Sequence, residues 1–180
     1  MSEAAARSNA PAIRRASAAD AGALAELLRD VVAGGASVGF MHPLSPARAL
    51  AAWSAWLDGA ARGERIVLVA EDAAASRAIL GTVQVVTAMP DNQPHRGDVA
   101  KMQVHPSARR RGVGAALVRA AEAAAREAGK TLLVLDTVTG SDAWRLYTRL
   151  GWQRVGDIPK YALFPEGGFC STTVFYRDLG

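Results

Sequence analysis

Three arginines in succession, Arg109, Arg110 and Arg111, stand directly before Gly112-Val113-Gly114, and a long alanine-rich stretch follows as far as Gly129. Neighbouring guanidinium groups repel one another, and glycines at a helix start cost conformational entropy, so the arrangement calls for a compensating partner. These residue types suit phosphate. Glycines let the backbone turn tightly, so that successive N–H groups converge on one small concavity and a ligand can approach the main chain. The helix behind adds the positive end of its dipole. Arginines beside it supply charge-assisted contacts to further phosphates. Two other phosphate loops fit worse. A P-loop needs Gly-Lys-Ser/Thr, absent here, and a dinucleotide fingerprint needs a third glycine where Leu117 stands, in an early βαβ unit. A bare basic helix start is the plain alternative, and the motif's position between an alternating strand and a long helix favours the ligand.

The elements that must position this turn read as follows. "AIRRAS" near Ile13 is a short first strand. Ser17 to Asp20 has capping-box spacing, and Leu24, Leu27, Leu28 and Val31 follow with helical period, up to Gly34-Gly35. "GGASVGFMHPL" is a loop. Ser45-Pro46 reads as an N-cap with proline at the first helical position, opening a helix with Leu50, Trp53, Trp56 and Leu57 to about Ala61. "RIVLVAED" and "AILGTVQVVTA" are strands joined through a small polar turn. "DVAKMQV" is a fourth strand, "TLLVLDT" a fifth, and "RVGDIPKYAL" and "TTVFYRDL" close the chain around "PEGG". Between them "SDAWRLYTRLG" is a short helix capped by Ser141 and stopped at Gly151. The order is mixed α/β, in one domain over residues 11–180 behind a disordered tail of residues 1–10.

Composition bounds the function. Half of the 180 residues are hydrophobic, 21% are charged, and the net charge of +4 fits an anionic ligand without calling for nucleic acid. Cys170 stands alone, so an internal disulfide is excluded and a reducing compartment fits. "MSEAAARSNA" has no secretory apolar core, and no apolar run reaches membrane-spanning length, so the expected location is the cytoplasm. His42, His95 and His105 lie far apart with no metal-ligand spacing, and no metal is expected.

Arg109-Arg110-Arg111-Gly112-Val113-Gly114 resembles the Gln/Arg-x-x-Gly-x-Gly/Ala signature of the GNAT acetyltransferase superfamily, and "AWRLYTRLGWQRVG" is similar to that family's later helix–strand unit. The resemblance runs from about Ile13 to Leu179. It implies a GNAT fold, α/β with a central mixed seven-stranded sheet and helices on both faces, and acetyl-CoA as acetyl donor. In that family the loop amides hold the pyrophosphate, which assigns cofactor binding to Arg109, Arg110, Arg111, Gly112, Val113, Gly114 and Ala115. The family's fourth strand splays from its neighbour and offers backbone N–H groups to the acetyl carbonyl and pantetheine arm, which brings in Met102, Gln103 and Val104. "GGASVGFM", "PSAR", "LDT", "GS" and the "RVG…P.Y" run further resemble the tabtoxin-resistance acetyltransferase group, which acetylates the amino group of a β-lactam toxin.

Acetyl transfer to an amine needs a neutral nucleophile, donors for the developing oxyanion and an acid for the departing thiolate. Tyr147 matches the family's helix tyrosine near the thioester sulfur and is the expected acid, with a half-buried core tyrosine as the plain alternative. Asp98, opening the fourth strand, and Asp136, ending the fifth, are the candidate bases. Adjacent splayed strands would point both into one cleft, where burial or mutual repulsion raises a carboxylate's pKa. Alternatively they bind the substrate ammonium and relay its proton through water. Phe40 and Met41 are expected to wall the acceptor side, and Trp53 and Trp56 to belong to the core. The expected reaction is direct N-acetylation of a small-molecule amine, with antibiotic resistance as a context, no nucleic-acid or membrane partner, and a homodimer as a frequent assembly in the family. The rivals are a protein or peptide N-acetyltransferase, a non-catalytic acyl-CoA sensor and a basic nucleic-acid-binding protein.

Overall fold

In the computed structural model, which describes residues 10–72 and 77–180, each segment read as a strand is one. They are β1 (Ala12–Arg15), β2 (Arg65–Glu71), β3 (Ile79–Val86), β4 (Arg96–Val104), β5 (Leu132–Val138), β6 (Gln153–Leu163) and β7 (Phe169–Asp178). They form one sheet in the order β1-β2-β3-β4-β5-β7-β6. Each neighbouring pair is antiparallel except β4 and β5, which run parallel. The helices are α1 (Ala21–Ala33), α2 (Pro46–Ala61), α3 (Val113–Glu127) and α4 (Asp142–Arg149). The expected N-terminal tail, but for Ala10, and residues 73–76 of the β2–β3 turn lie outside the described residues.

The period-2 alternation of β2 sorts the core into two layers. Ile66, Leu68 and Ala70 pack with the apolar stripe of α3, including Leu117, Val118 and Ala121, and with Tyr147 of α4. Val67 and Val69 point the other way, into Leu24, Leu28 and Trp53 of α1 and α2. Helices therefore cover both faces, because the buried strands are apolar on both. Trp53 is fully buried, and its indole meets Trp56 edge to face at 5.0 Å.

Local signals set the element ends. Ser45 Oγ accepts from Arg48 N–H at 3.3 Å and Ser141 Oγ from Trp144 N–H at 3.1 Å, each replacing a missing intrahelical acceptor. The box at Ser17 departs from the expectation in one respect. A single 3-10 turn, Ala18–Asp20, precedes α1, and Asp20 Oδ2 accepts from Ser17 N–H at 2.7 Å. Asp20 has a second task. Arg14 of β1 grips it with two hydrogen bonds, of 2.7 and 2.9 Å, and reaches Glu71 of β2 at 2.6 Å. The guanidinium bonds, reinforced by Ser17, hold the Asp20 carboxyl down at about 2 against the opposing effect of burial.

Because the folded pKa lies below the unfolded value of 3.8, this stabilisation is complete above that pH and is lost as pH falls through about 2. With Arg14 partly in solvent, Asp20→Asn is expected to lower stability near neutrality by about 1–2 kcal/mol. In urea unfolding the gap from wild type should close between about pH 4 and about pH 2. A gap constant across that window would assign the loss to the turn geometry instead of to the charge.

Candidate active site

The sheet is split at its centre. β4 and β5 pair only at Arg96↔Leu132, Gly97↔Leu133 and Asp98↔Val134. β5 continues to pair with β7 as far as Val138↔Thr172, whereas β4 turns away. The turn comes from a bulge. On the β3 side the register passes from Gln84↔Ala100 to Thr82↔Gln103, so Lys101 and Met102 together oppose one residue of β3. Lys101 carries the left-handed backbone this requires, φ +52°, a conformation costing a non-glycine residue about 1–3 kcal/mol. The extra residue increases local twist and swings the end of β4 out of the ladder. From Val99 onward the β5-facing edge of β4 has no strand partner.

At the end of that edge the chain enters the arginine-glycine turn. His105 Nδ1 accepts from Ser107 N–H at 3.2 Å and caps the 3-10 turn Pro106–Ala108. Arg110 (φ +60°) and Gly112 (φ +80°) then reverse the backbone into α3. The first helical hydrogen bond here runs from Ala116 N–H to Gly112 O at 3.0 Å, which leaves the N–H groups of Val113, Gly114 and Ala115 outside the ladder. Arg109, Arg110 and Arg111 are exposed, and among the described residues they have no hydrogen-bonded carboxylate, although Asp142 feels the charge of Arg110 and Arg109 at longer range. A Cβ on Gly114 would stand 3.0 Å from Leu146 Cδ2 and 3.4 Å from Met102 Cε, so any side chain here would press on both where α3, α4 and β4 meet. Unpaired amides, unpaired guanidiniums and a main chain without a side-chain screen together fit a polyphosphate.

Inside the wedge lies a cavity of about 510 Å³, bounded by Val99–Met102 of β4, Asp136–Val138 of β5, Tyr147 of α4, Tyr161–Leu163 of β6 and Cys170–Thr172 of β7. Its roof is residues 37–41, and three contacts fasten the roof. Lys101 Nζ donates to Val38 O at 3.0 Å, Ser37 Oγ to Leu163 O at 3.2 Å, and His42 N–H to Pro165 O at 3.0 Å. Phe40 lies edge-on to Trp56 at 6.2 Å, which continues the roof into the α1–α2 core.

The cavity's electrostatics follow from this packing. Tyr147 is 2% exposed, its ring set against Trp152 at 5.4 Å and Phe175 at 6.2 Å. Burial, with the nearby Asp136 charge adding to it, pushes the phenol far above the usual tyrosine range, so it stays protonated at neutral pH. Asp136 is exposed to the cavity and accepts from Thr172 Oγ1 at 2.8 Å. Asp98 sits at the last paired position, with Arg96 Nη1 3.1 Å from its Oδ1. Burial raises its pKa, Arg96 opposes this, and the Asp136 charge adds to it.

Of the residues read from sequence, the fold gathers Phe40, Met41, Met102, Asp136 and Tyr147 around one cavity. Asp98 is close enough to feel Asp136 but lies outside the lining, at the fork. Val104 is partly buried against the core, and Gln103 is buried with both side-chain amide atoms unpartnered. Trp53 and Trp56 belong to the core as expected, Trp53 fully buried and Trp56 half-buried against the same cluster. Sequence reading missed Lys101, Thr172 and Tyr161 as lining residues. A lysine inside "VAKMQV" is the one signal that pointed to the first, since a cation in a central strand needs a polar destination. Among the described residues no cluster of three or more His, Cys, Asp or Glu could hold a metal, and no helix is long and apolar enough to cross a membrane.

Residues 63–154 match the family model of the acetyltransferase (GNAT) domain, slightly more than half of the chain. Solved structures share the fold over nearly the whole length. The yncA protein of Salmonella typhimurium, whose structure was solved with its cofactor acetyl-CoA, is 23% identical with a TM-score of 0.79, over 96% of this chain and 95% of that one. A ribosomal-protein-alanine N-acetyltransferase from Brucella melitensis is 22% identical with a TM-score of 0.78, over 93% and 99%. A GCN5-related N-acetyltransferase from Kribbella flavida is 24% identical with a TM-score of 0.73, over 94% and 98%.

The coupling of the two carboxylates can be measured without any ligand. In Asp136→Asn the Asp98 carboxyl is expected to titrate at lower pH than in wild type, because one of the two influences raising it is removed. Carboxyl-carbon NMR titration reads this directly, and an unchanged Asp98 midpoint would show that burial alone sets it.

Proposed function

The chain belongs to the GNAT acetyltransferase family, and from that premise we propose that it moves the acetyl group of acetyl-CoA directly onto the amine of a small molecule, a tabtoxin-like β-lactam or another amino-acid-like toxin. The observation that carries the small-molecule reading is the roofed cavity of about 510 Å³, a size suited to a compact ligand. The "GGASVGFM" sequence of that roof is also the segment most like the tabtoxin-resistance group. On this reading residues 11–180 act as one catalytic domain in the cytoplasm, as a homodimer, in resistance or self-protection.

Acetyl-CoA, when bound, supplies an acetyl group already activated as a thioester. The N–H groups of Val113, Gly114 and Ala115 would hold its pyrophosphate, with the guanidiniums of Arg109, Arg110 and Arg111 neutralising the phosphates. Met102, Gln103 and Val104 offer the unpaired edge of β4 to the pantetheine arm, by hydrogen bonds that an intact β4–β5 ladder would have consumed. Asp136 draws the acceptor ammonium into the cavity. Its proton passes to Asp136 or, through water, to Asp98, whose raised pKa makes it the stronger base of ordinary aspartates. With Asp98 as the base, which works only when ionised, activity should rise with pH through a limb lying above the ordinary aspartate value of about 3.9. Tyr147, kept protonated by burial, holds at its phenolic oxygen the proton the departing sulfur requires. Phe40 and Met41 exclude water from the acceptor side.

Gly112→Asp is expected to weaken acetyl-CoA binding by about a hundredfold in calorimetry, by placing a carboxylate against phosphate and forcing an L residue to φ +80°. Unchanged affinity would move the phosphate site elsewhere. Tyr147→Phe is expected to lower kcat by about tenfold or more with a smaller change in KM. If kcat stays within about twofold, Tyr147 is packing alone. The acceptor is tested by thiol release from acetyl-CoA against tabtoxinine-β-lactam, amino acids, polyamines, aminoglycosides and short peptides. Turnover confined to peptides would transfer the reading to a protein N-acetyltransferase, and silence with acetyl-CoA bound would make the protein an acyl-CoA sensor.

A further inference from the structure

Lys101 is the cavity residue that the acetyl-transfer chemistry leaves without a task. Its backbone occupies the left-handed region at the β4 bulge, where glycine or asparagine would sit more easily. Its side chain is half-buried and lines the cavity. Nζ donates to Val38 O at 3.0 Å and lies 5.4 Å from the centre of the Trp56 ring. An ammonium has three N–H donors, and a carbonyl with one aromatic face leaves it incompletely matched. Among the described residues no carboxylate lies within ion-pair distance of it.

The charges around the cavity define what would match it. Among the described residues lining the cavity, Lys101 is the one basic side chain and Asp136 the one acidic side chain. Burial holds the Lys101 ammonium below the usual lysine range, with the Asp136 charge opposing this and Arg65 adding to it. A ligand with an amine alone would satisfy Asp136 and desolvate Lys101 without return. A ligand with an amine and an anionic group satisfies both, and a buried charge is stable only when paired.

We propose that Lys101 is a specificity-determining residue that receives a carboxylate of the acceptor, so that the substrate class of this cavity is a compound bearing both an amine and a carboxylate. The assignment rests on the small-molecule reading above. It gives the two charges separate tasks: Asp136 orients the amine for attack, and Lys101 holds the far end of the same molecule under the 37–41 roof. The hydrogen bond from Nζ to Val38 O links recognition to roof placement.

The test compares acceptors that differ only in the carboxylate: L-lysine against cadaverine and L-ornithine against putrescine, followed by thiol release from acetyl-CoA. Wild-type protein is expected to favour the amino acid over its decarboxylated partner in kcat/KM by about tenfold or more. Lys101→Met should reduce that ratio by about tenfold, chiefly through KM of the amino acid, and Lys101→Arg should restore part of it. Lys101→Gln retains a donor for Val38 O without the charge, and carries the test if the methionine variant loses its roof; acetyl-CoA affinity and near-ultraviolet dichroism report the fold of each variant. A ratio that is the same in wild type, Lys101→Gln and Lys101→Met would make Lys101 a clip for the roof and overturn the proposal. Turnover of the decarboxylated amines alone would overturn it while leaving the small-molecule reading intact. Turnover of peptides alone would remove both.

Discussion

Three paired positions between β4 and β5, followed by a bulge, are the constraint on which the rest of the site depends. A parallel pair in the centre of a sheet is normally covered and continuous. Here β4 receives one residue too many opposite β3, and its backbone twists away while β5 stays with β7. The cost is a lysine in the left-handed region and a strand edge without a ladder. The return is a wedge in the middle of the sheet, with main-chain groups free along one wall and the entrance to α3 at its end.

The other features are consequences of that wedge. The arginine-glycine turn lies where β4 ends, so the amides at the start of α3 continue the line of the unpaired strand edge. Gly114 lets Leu146 and Met102 close on the helix, which packs the start of α3 against α4, the helix that carries Tyr147. The 37–41 roof can cover the wedge because it is fastened on both sides, to Lys101 of β4 and to Leu163 at the end of β6. Asp98 and Asp136 influence each other because the last rung of the β4–β5 ladder holds their strands together just before they diverge.

The wedge and its fork leave their titratable groups at different depths. The phenol of Tyr147 is buried, Asp136 is exposed to the cavity, and Asp98, at the fork, is intermediate. These differences in burial are imposed by the sheet and α4. They raise the pKa of Tyr147 and of Asp98. The shared fold of the yncA, ribosomal-protein-alanine and GCN5-related enzymes concerns this framework.

Local patterning alone determined the elements and the turn that leads from β4 into α3. Serine caps at Ser45 and Ser141, glycine stops at Gly34 and Gly129, and the two-layer alternation of β2 are short-range signals, and the described elements lie where those signals put them. Resemblance extended the reading to Met102, Tyr147 and Asp136, which the fold gathers round one cavity. Only the tertiary structure decided that Asp98 stands outside the lining, that Arg14 bridges Asp20 and Glu71, and that Lys101 lines the same cavity as Asp136. The reason is physical. Caps and periodicity are set by residues a few positions apart, whereas a bulge, a strand register and the meeting of residues 38, 101, 136 and 147 depend on pairings between distant segments, to which no local pattern is sensitive.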